Sequence, residues 1–230
     1  MRLFNLAATA ALTATSTIIG AAVPNPPIGL DHILVGAPDL DRAVAEVQQR
    51  TGVRAVYGGS HPRAGTRNAL IAIGNGAYLE FIAPDPAQAR PGGAAKFLRS
   101  LKTLTPIGWA YHTGDLSTLH SGLRARGVRA GRIEPGSRKR PDGQTLRWRT
   151  FEIGGEEDVA PFYIEWGRTS PHPSLTAARG CRLAQFVVGG PLKPNVVHAL
   201  ALTGQSAVWQ RNAPDGLQVA LQCGKRTIRF

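Results

Sequence analysis

The sequence predicts an α+β fold built from repeated modules, each running strand, helix and then three strands. Three observations carry this. Apolar runs with strand and helix periodicities recur in the same order along the chain. Turn residues after the first strand of each copy, Pro38, Gly114 and Pro191, fall at equivalent places. The last strands of the first two copies share a pattern, Tyr78-Leu79-Glu80-Phe81 and Tyr163-Ile164-Glu165-Trp166.

In the first copy Leu30 to Gly36 is β-prone, and Pro38-Asp39 supplies a break and an N-cap. Leu40, Val44 and Val47 then recur at helical spacing until Gly52. Val53 to Tyr57 is a short strand. Arg67 to Ile73 and Ala77 to Ala83 flank Gly74-Asn75-Gly76, whose residues tolerate the positive φ of a tight hairpin. The second copy has a strand at Ile107 to Thr113, a helix through Leu116, Leu119 and Leu123, and strands at Val128 to Ile133, Leu146 to Ile153 and Pro161 to Trp166. A long basic loop, Glu134 to Gln144, is expected between the first two of these. The third copy has shorter elements: Leu183 to Val188, a helix from Asn195 to Leu202, then Ala207 to Gln210, Leu217 to Gln222 and Arg226 to Phe230.

The chain has 230 residues, enough for a substantial core, with 43% apolar and 18% charged residues, as in ordinary globular proteins. Of its net charge of +12, most lies between residues 90 and 150, where thirteen Lys and Arg face three acidic residues. Such a face attracts anions, and Arg138-Lys139-Arg140 beside a binding site would draw in an anionic substrate. Near its most basic part, Arg124 to Arg149, only Trp148 and Phe151 are available as stacking aromatics, so nucleic acid is not an expected partner. Residues 1–22 read as a signal peptide, with Arg2, an apolar middle and a Gly20-Ala21-Ala22 ending, so a secreted or periplasmic protein is expected. Thr9, Thr13, Thr15, Ser16 and Thr17 interrupt that middle, and no membrane span is expected. Cys181 and Cys223 allow one disulfide or two free thiols. No phosphate loop, GxSxG elbow or HExxH motif is present.

Four segments resemble the vicinal oxygen chelate superfamily, and within it the glyoxalase-like domain proteins: Leu30-Asp31-His32-Ile33-Leu34-Val35, Gly65-Thr66-Arg67-Asn68-Ala69-Leu70, Ala77-Tyr78-Leu79-Glu80-Phe81-Ile82-Ala83-Pro84 and Phe162-Tyr163-Ile164-Glu165-Trp166. The resemblance implies paired βαβββ modules forming a cupped mixed sheet with helices outside. It spans a glyoxalase-like domain at 28–173, in modules 28–90 and 104–173, with 180–230 as a weaker third module. It puts His32, Glu80 and Glu165 at metal-ligand positions, with the fourth position at Gly108, which has no side chain to coordinate. One imidazole and two carboxylates suit zinc, manganese or iron. Either carboxylate, Glu80 or Glu165, could also serve as the catalytic proton carrier. His61, Arg67 and Asn68 are expected to contact substrate at the mouth of the cup, and His172 either returns to the site or is a plain turn residue. His112, His120 and His198 are expected to be structural, and Trp109 and Trp166 to fill the core. Two functions follow: a lyase, isomerase or dioxygenase in which a metal polarises substrate oxygens, or a metal-free small-molecule binding protein of the same fold. A small-molecule substrate is the expected partner, and a homodimer is left open.

Overall fold

The computed structural model describes residues 28–88, 92–155 and 158–230. The expected signal segment lies outside the described residues. The first module runs β1 (Gly29–Gly36), α1 (Leu40–Thr51), β2 (Val56–His61), β3 (Thr66–Gly74) and β4 (Ala77–Pro84). After α2 (Gly93–Ser100), the second runs β5 (Thr105–His112), α3 (Leu116–Ala125), β6 (Glu134–Lys139), β7 (Thr145–Glu152) and β8 (Phe162–Trp166). Together their strands curl into one closed eight-stranded sheet in the order β1-β4-β3-β2-β6-β7-β8-β5.

Local chemistry sets the helices. The Asp39 side chain accepts from the Arg42 N–H at 2.8 Å and so caps α1, whose Leu40, Val44 and Val47 are buried on one face. Gly52, at φ 80°, ends that helix and returns its own N–H to the Gln48 carbonyl. Asp115 caps α3 in the same way through the Thr118 N–H, and Leu116, Leu119 and Leu123 face inward.

The two modules meet where β1 and β5 pair antiparallel, with Ile33 opposite Trp109. On the far side the sheet closes where β2 meets β6 through the Ser60–Lys139 pair. Alternation along each strand sends one set of side chains outward into the main core, among them Ile33, Val35, Leu79, Phe81, Trp109 and Tyr163. The other set faces the interior of the cup.

Several segments differ from the sequence reading. The strand expected at Val53 to Tyr57 is β2 at Val56–His61, and α2 is not among the expected elements. Val128 to Ile133 is not a strand and pairs with the sheet at the Ala130–Ile153 bridge. The expected basic loop instead forms β6, paired with β7 from Glu134–Thr150 to Lys139–Thr145. Cross-strand pairing overrides the poor intrinsic preference of Glu-Pro-Gly-Ser-Arg-Lys for a strand. The turn is confined to residues 140–144, where Asp142 accepts from the Gln144 N–H.

The C-terminal unit holds β9 (Cys181–Gly189), α4 (Pro194–Leu202), β10 (Trp209–Gln210), β11 (Gly216–Cys223) and β12 (Arg226–Arg229). Its element order repeats the modules, but its sheet order is β10-β9-β11-β12, whereas β1 lies beside β4 in the first module. Its apolar face packs on the outside of the cup, with Phe186 against Trp109 and Phe230 against Phe81. Cys181 and Cys223 stand opposite each other on β9 and β11 and form a disulfide.

Candidate functional site

A cavity of about 410 Å³ fills the cup. Leu34, Ile82, Trp148, Phe162, Ile164 and Trp166 give it apolar walls, and His32, His61, Glu80 and Arg138 converge within it, with Arg63 and Glu134 also in the lining. Apolar walls with convergent polar groups are the usual make-up of a small-molecule site.

His32 is held from behind. Its Nδ1 lies 2.6 Å from Asp31 Oδ1, and Asp31 is wholly buried. Asp31 Oδ2 also accepts from Trp166 Nε1 and from His172 Nε2, both at 3.0 Å. Burial alone would raise the Asp31 carboxyl, but the hydrogen bonds and charges of His172 and His32 outweigh it and hold it well below the usual range. An ionised Asp31 accepts from His32 Nδ1 and so turns Nε2 into the cup, toward Glu80. Adjacent strand residues normally point to opposite faces. Here a bulge leaves Asp31 unpaired between Leu30–Tyr111 and His32–Ala110, which lets both side chains meet.

Glu80 faces the same space, with Oε2 3.7 Å from His32 Nε2 and Oε1 3.9 Å from His61 Nε2. Asn68, fully buried, donates to Oε1 at 2.8 Å. Burial works to raise the Glu80 carboxyl, but His32, His61, Arg138 and the Asn68 bond together lower it, so it is ionised at neutral pH. His61 is positioned by Thr66 Oγ1 at 3.0 Å from its Nδ1. Burial, helped by the positive charge of Arg138, lowers its pKa to about 4, and its ring is neutral at pH 7.

The structure thus brings His32, His61, Asn68 and Glu80 together. Glu165 and Arg67 lie elsewhere. Glu165 is on the outer side of β8, where it accepts from the Leu116 N–H at the start of α3 and from Arg149 Nη2, both at 2.8 Å. Arg67, on the outer side of β3, pairs with Asp41 of α1 at 2.9 Å. Register explains the displacement of Glu165. The two-fold through Ile33–Trp109 carries His32 to Gly108 and Leu34 to Ala110. Glu80 pairs with Leu34 and Phe162 with Ala110, so Phe162, not Glu165, is the counterpart of Glu80. Glu165→Ala is expected to cost about 1–2 kcal/mol, as loss of a helix-terminal acceptor does. Denaturant titration measures that loss, and ligand binding in the cup should be unchanged.

Sequence reasoning missed Asp31, which supports His32 together with His172, a residue left open between the site and a plain turn. Trp166, read as core, lines the cavity while donating to Asp31. Arg138 was placed in a surface loop, but it lies on β6 and is 3% exposed. Lys139 and Arg140 stay outside the cavity lining, and Arg140 pairs with Asp142.

Residues 30–203 match the family model of the glyoxalase-like domain. The chain belongs to that family. As a glyoxalase-like domain protein it is similar in fold to a hypothetical protein from Staphylococcus aureus. The two are 16% identical with a TM-score of 0.59, over 88% of this chain and 85% of that one. Methylmalonyl-CoA epimerase from Mycobacterium tuberculosis is 23% identical with a TM-score of 0.46, over 68% of this chain and 97% of that one. No curated protein matches the sequence. No helix among the described residues is long and apolar enough to cross a membrane.

The donor set of the cup suits a divalent metal poorly. Of the four symmetry-related positions, His32 and Glu80 carry donors and Gly108 and Phe162 carry none. Among the described residues no three His, Cys, Asp or Glu side chains gather as a metal centre. The guanidinium of Arg138 already adds a fixed positive charge to the cavity that Glu80 and His61 face.

Proposed function

We propose that the protein is a small-molecule enzyme whose cup carries out proton transfer next to a polarised oxygen, with His32 as the base. The observation that carries this reading is the buried Asp31–His32 pair, which holds the ring from behind and turns Nε2 to the cavity beside Glu80. A nitrogen fixed in one tautomer by a carboxylate behind it is the arrangement of a general base. As His32 takes up a proton, Asp31 and Glu80 flank the growing positive charge and stabilise it. His61, neutral at pH 7, serves as a hydrogen-bonding group at the mouth. The positive charge that polarises the substrate comes from Arg138, not from a metal. Export is part of the same proposal, and the Cys181–Cys223 disulfide supports an oxidising compartment.

The test is exchange of substrate C–H protons in D2O, followed by NMR over a panel of small carbonyl compounds. Wild-type protein, treated with chelator, is expected to catalyse exchange for those compounds that bind in the cup. His32→Gln protein should bind them and exchange none. Binding without exchange by the wild type would make the cup a carrier site and overturn the reading. Exchange that vanishes with one tightly held metal ion per chain would overturn it equally.

A further inference from the structure

We infer that Arg138 is a built anion subsite, and that the ligand of the cup is a small carboxylate with an apolar body. This rests on the cup being the substrate site, and it adds the chemical class of what enters.

Arg138 is 3% exposed, yet among the described residues no carboxylate forms an ion pair with it. Its buried Nε–H has no acceptor, and neither does any donor reach the buried Asn68 Oδ1 beside it. A guanidinium withdrawn from water without a paired anion is costly, and a folded chain keeps one where a ligand completes it. The chain also makes room for this side chain. A Cβ on Gly58 would stand 2.7 Å from Arg138 Nη1 and closer still to Asn68 Oδ1. At Gly59, φ is 133° and a Cβ would run into the Lys139 carbonyl. The two glycines of β2 therefore let the arginine lie across the strand and reach the cavity.

The shape of the anion follows from the donors. A guanidinium presents parallel N–H groups that match the two oxygens of a carboxylate. Trp148, Trp166, Phe162 and Ile164 give the cavity an apolar wall that fits an apolar body, while Arg63 is the other arginine of the lining and Glu134 its second carboxylate beside Glu80. A carboxylate seated on Arg138 would leave the adjoining carbons in the space that His32 and Glu80 face.

Isothermal titration of the full chain with 3-phenylpropanoate and with the uncharged 3-phenylpropanamide tests the assignment. The wild type is expected to bind the acid at least about tenfold more tightly than the amide, at 0.15 M salt where surface attraction is screened within about 8 Å. Arg138→Gln should abolish that preference, and Arg138→Lys should restore only part of it. Lys139→Gln with Arg140→Gln should leave it intact. The preference is read from binding alone, without turnover, so a failed exchange reaction and a failed subsite are told apart. Equal affinity for acid and amide in the wild type overturns the assignment without recourse to any variant. So does a preference that survives Arg138→Gln, or inorganic phosphate binding that depends on Arg138 and excludes the acid.

Discussion

Replacing Asp31 with Asn is expected to reverse the His32 tautomer and to slow proton transfer about a thousandfold, the scale on which a misplaced base proton acts. In the wild type the Asp31 carboxylate accepts a hydrogen bond from Nδ1 at 2.6 Å, and on the proposed reading Nε2 is the nitrogen that takes up the substrate proton. An amide at this position turns its NH2 toward the ring as readily as its oxygen, so Nδ1 becomes the acceptor and Nε2 carries the proton. Nitrogen-15 spectra of the histidine rings report this exchange directly, before any substrate is known. Trp166 and His172 also lose a charged acceptor, so a fall in melting temperature accompanies the change. An unchanged His32 spectrum in Asp31→Asn protein would show that the carboxylate does not set the base.

The second large effect belongs to the disulfide. Cys181 and Cys223 are 42 residues apart, and closing a loop of that length removes about 4 kcal/mol of conformational freedom from the unfolded chain. The Cys181→Ser, Cys223→Ser double variant should therefore unfold at markedly lower denaturant concentration, by up to that amount, with its m-value raised as the unfolded chain expands. The bond ties β9 to β11 in the C-terminal unit, which lies on the outside of the cup. Carboxylate binding to Arg138 should thus persist under conditions where the variant is still folded. Equal stability with and without the bridge would mean that the C-terminal unit unfolds apart from the rest.

Much of this architecture is legible in the chain. The Asp39 and Asp115 caps, the helix stop at Gly52 and the hairpin at Gly74-Asn75-Gly76 are local, and local chemistry decides them. The site is less legible because it depends on register. Matching Tyr78-Leu79-Glu80-Phe81 to Tyr163-Ile164-Glu165-Trp166 sets equivalence by residue type, while pairing along β1 and β5 sets it three residues earlier, at Phe162. That offset is odd, so it also moves Glu165 to the opposite face of its strand. Asp31 was hidden by a bulge that strict alternation does not anticipate. Arg138 was hidden because β6 has no apolar periodicity, only a partner strand. His32, Asn68 and Glu80 lie in segments that carry the family resemblance, whereas His61 lies past the strand expected at Val53 to Tyr57 and falls at the end of β2.

The Ser60–Lys139 closure between β2 and β6 has a bearing on how the site is assembled. His32, His61 and Glu80 belong to the first half of the chain, and Arg138 arrives from the second, one residue from that seam. Neither half owns the complete set of charges. A molecule held at once by Arg138 and by the histidines acts as a rivet across the seam, so occupancy of the cup and cohesion of the two halves rise and fall together. On the proposed reading, a ligand would add to the β1–β5 and β2–β6 pairing that already joins the two halves.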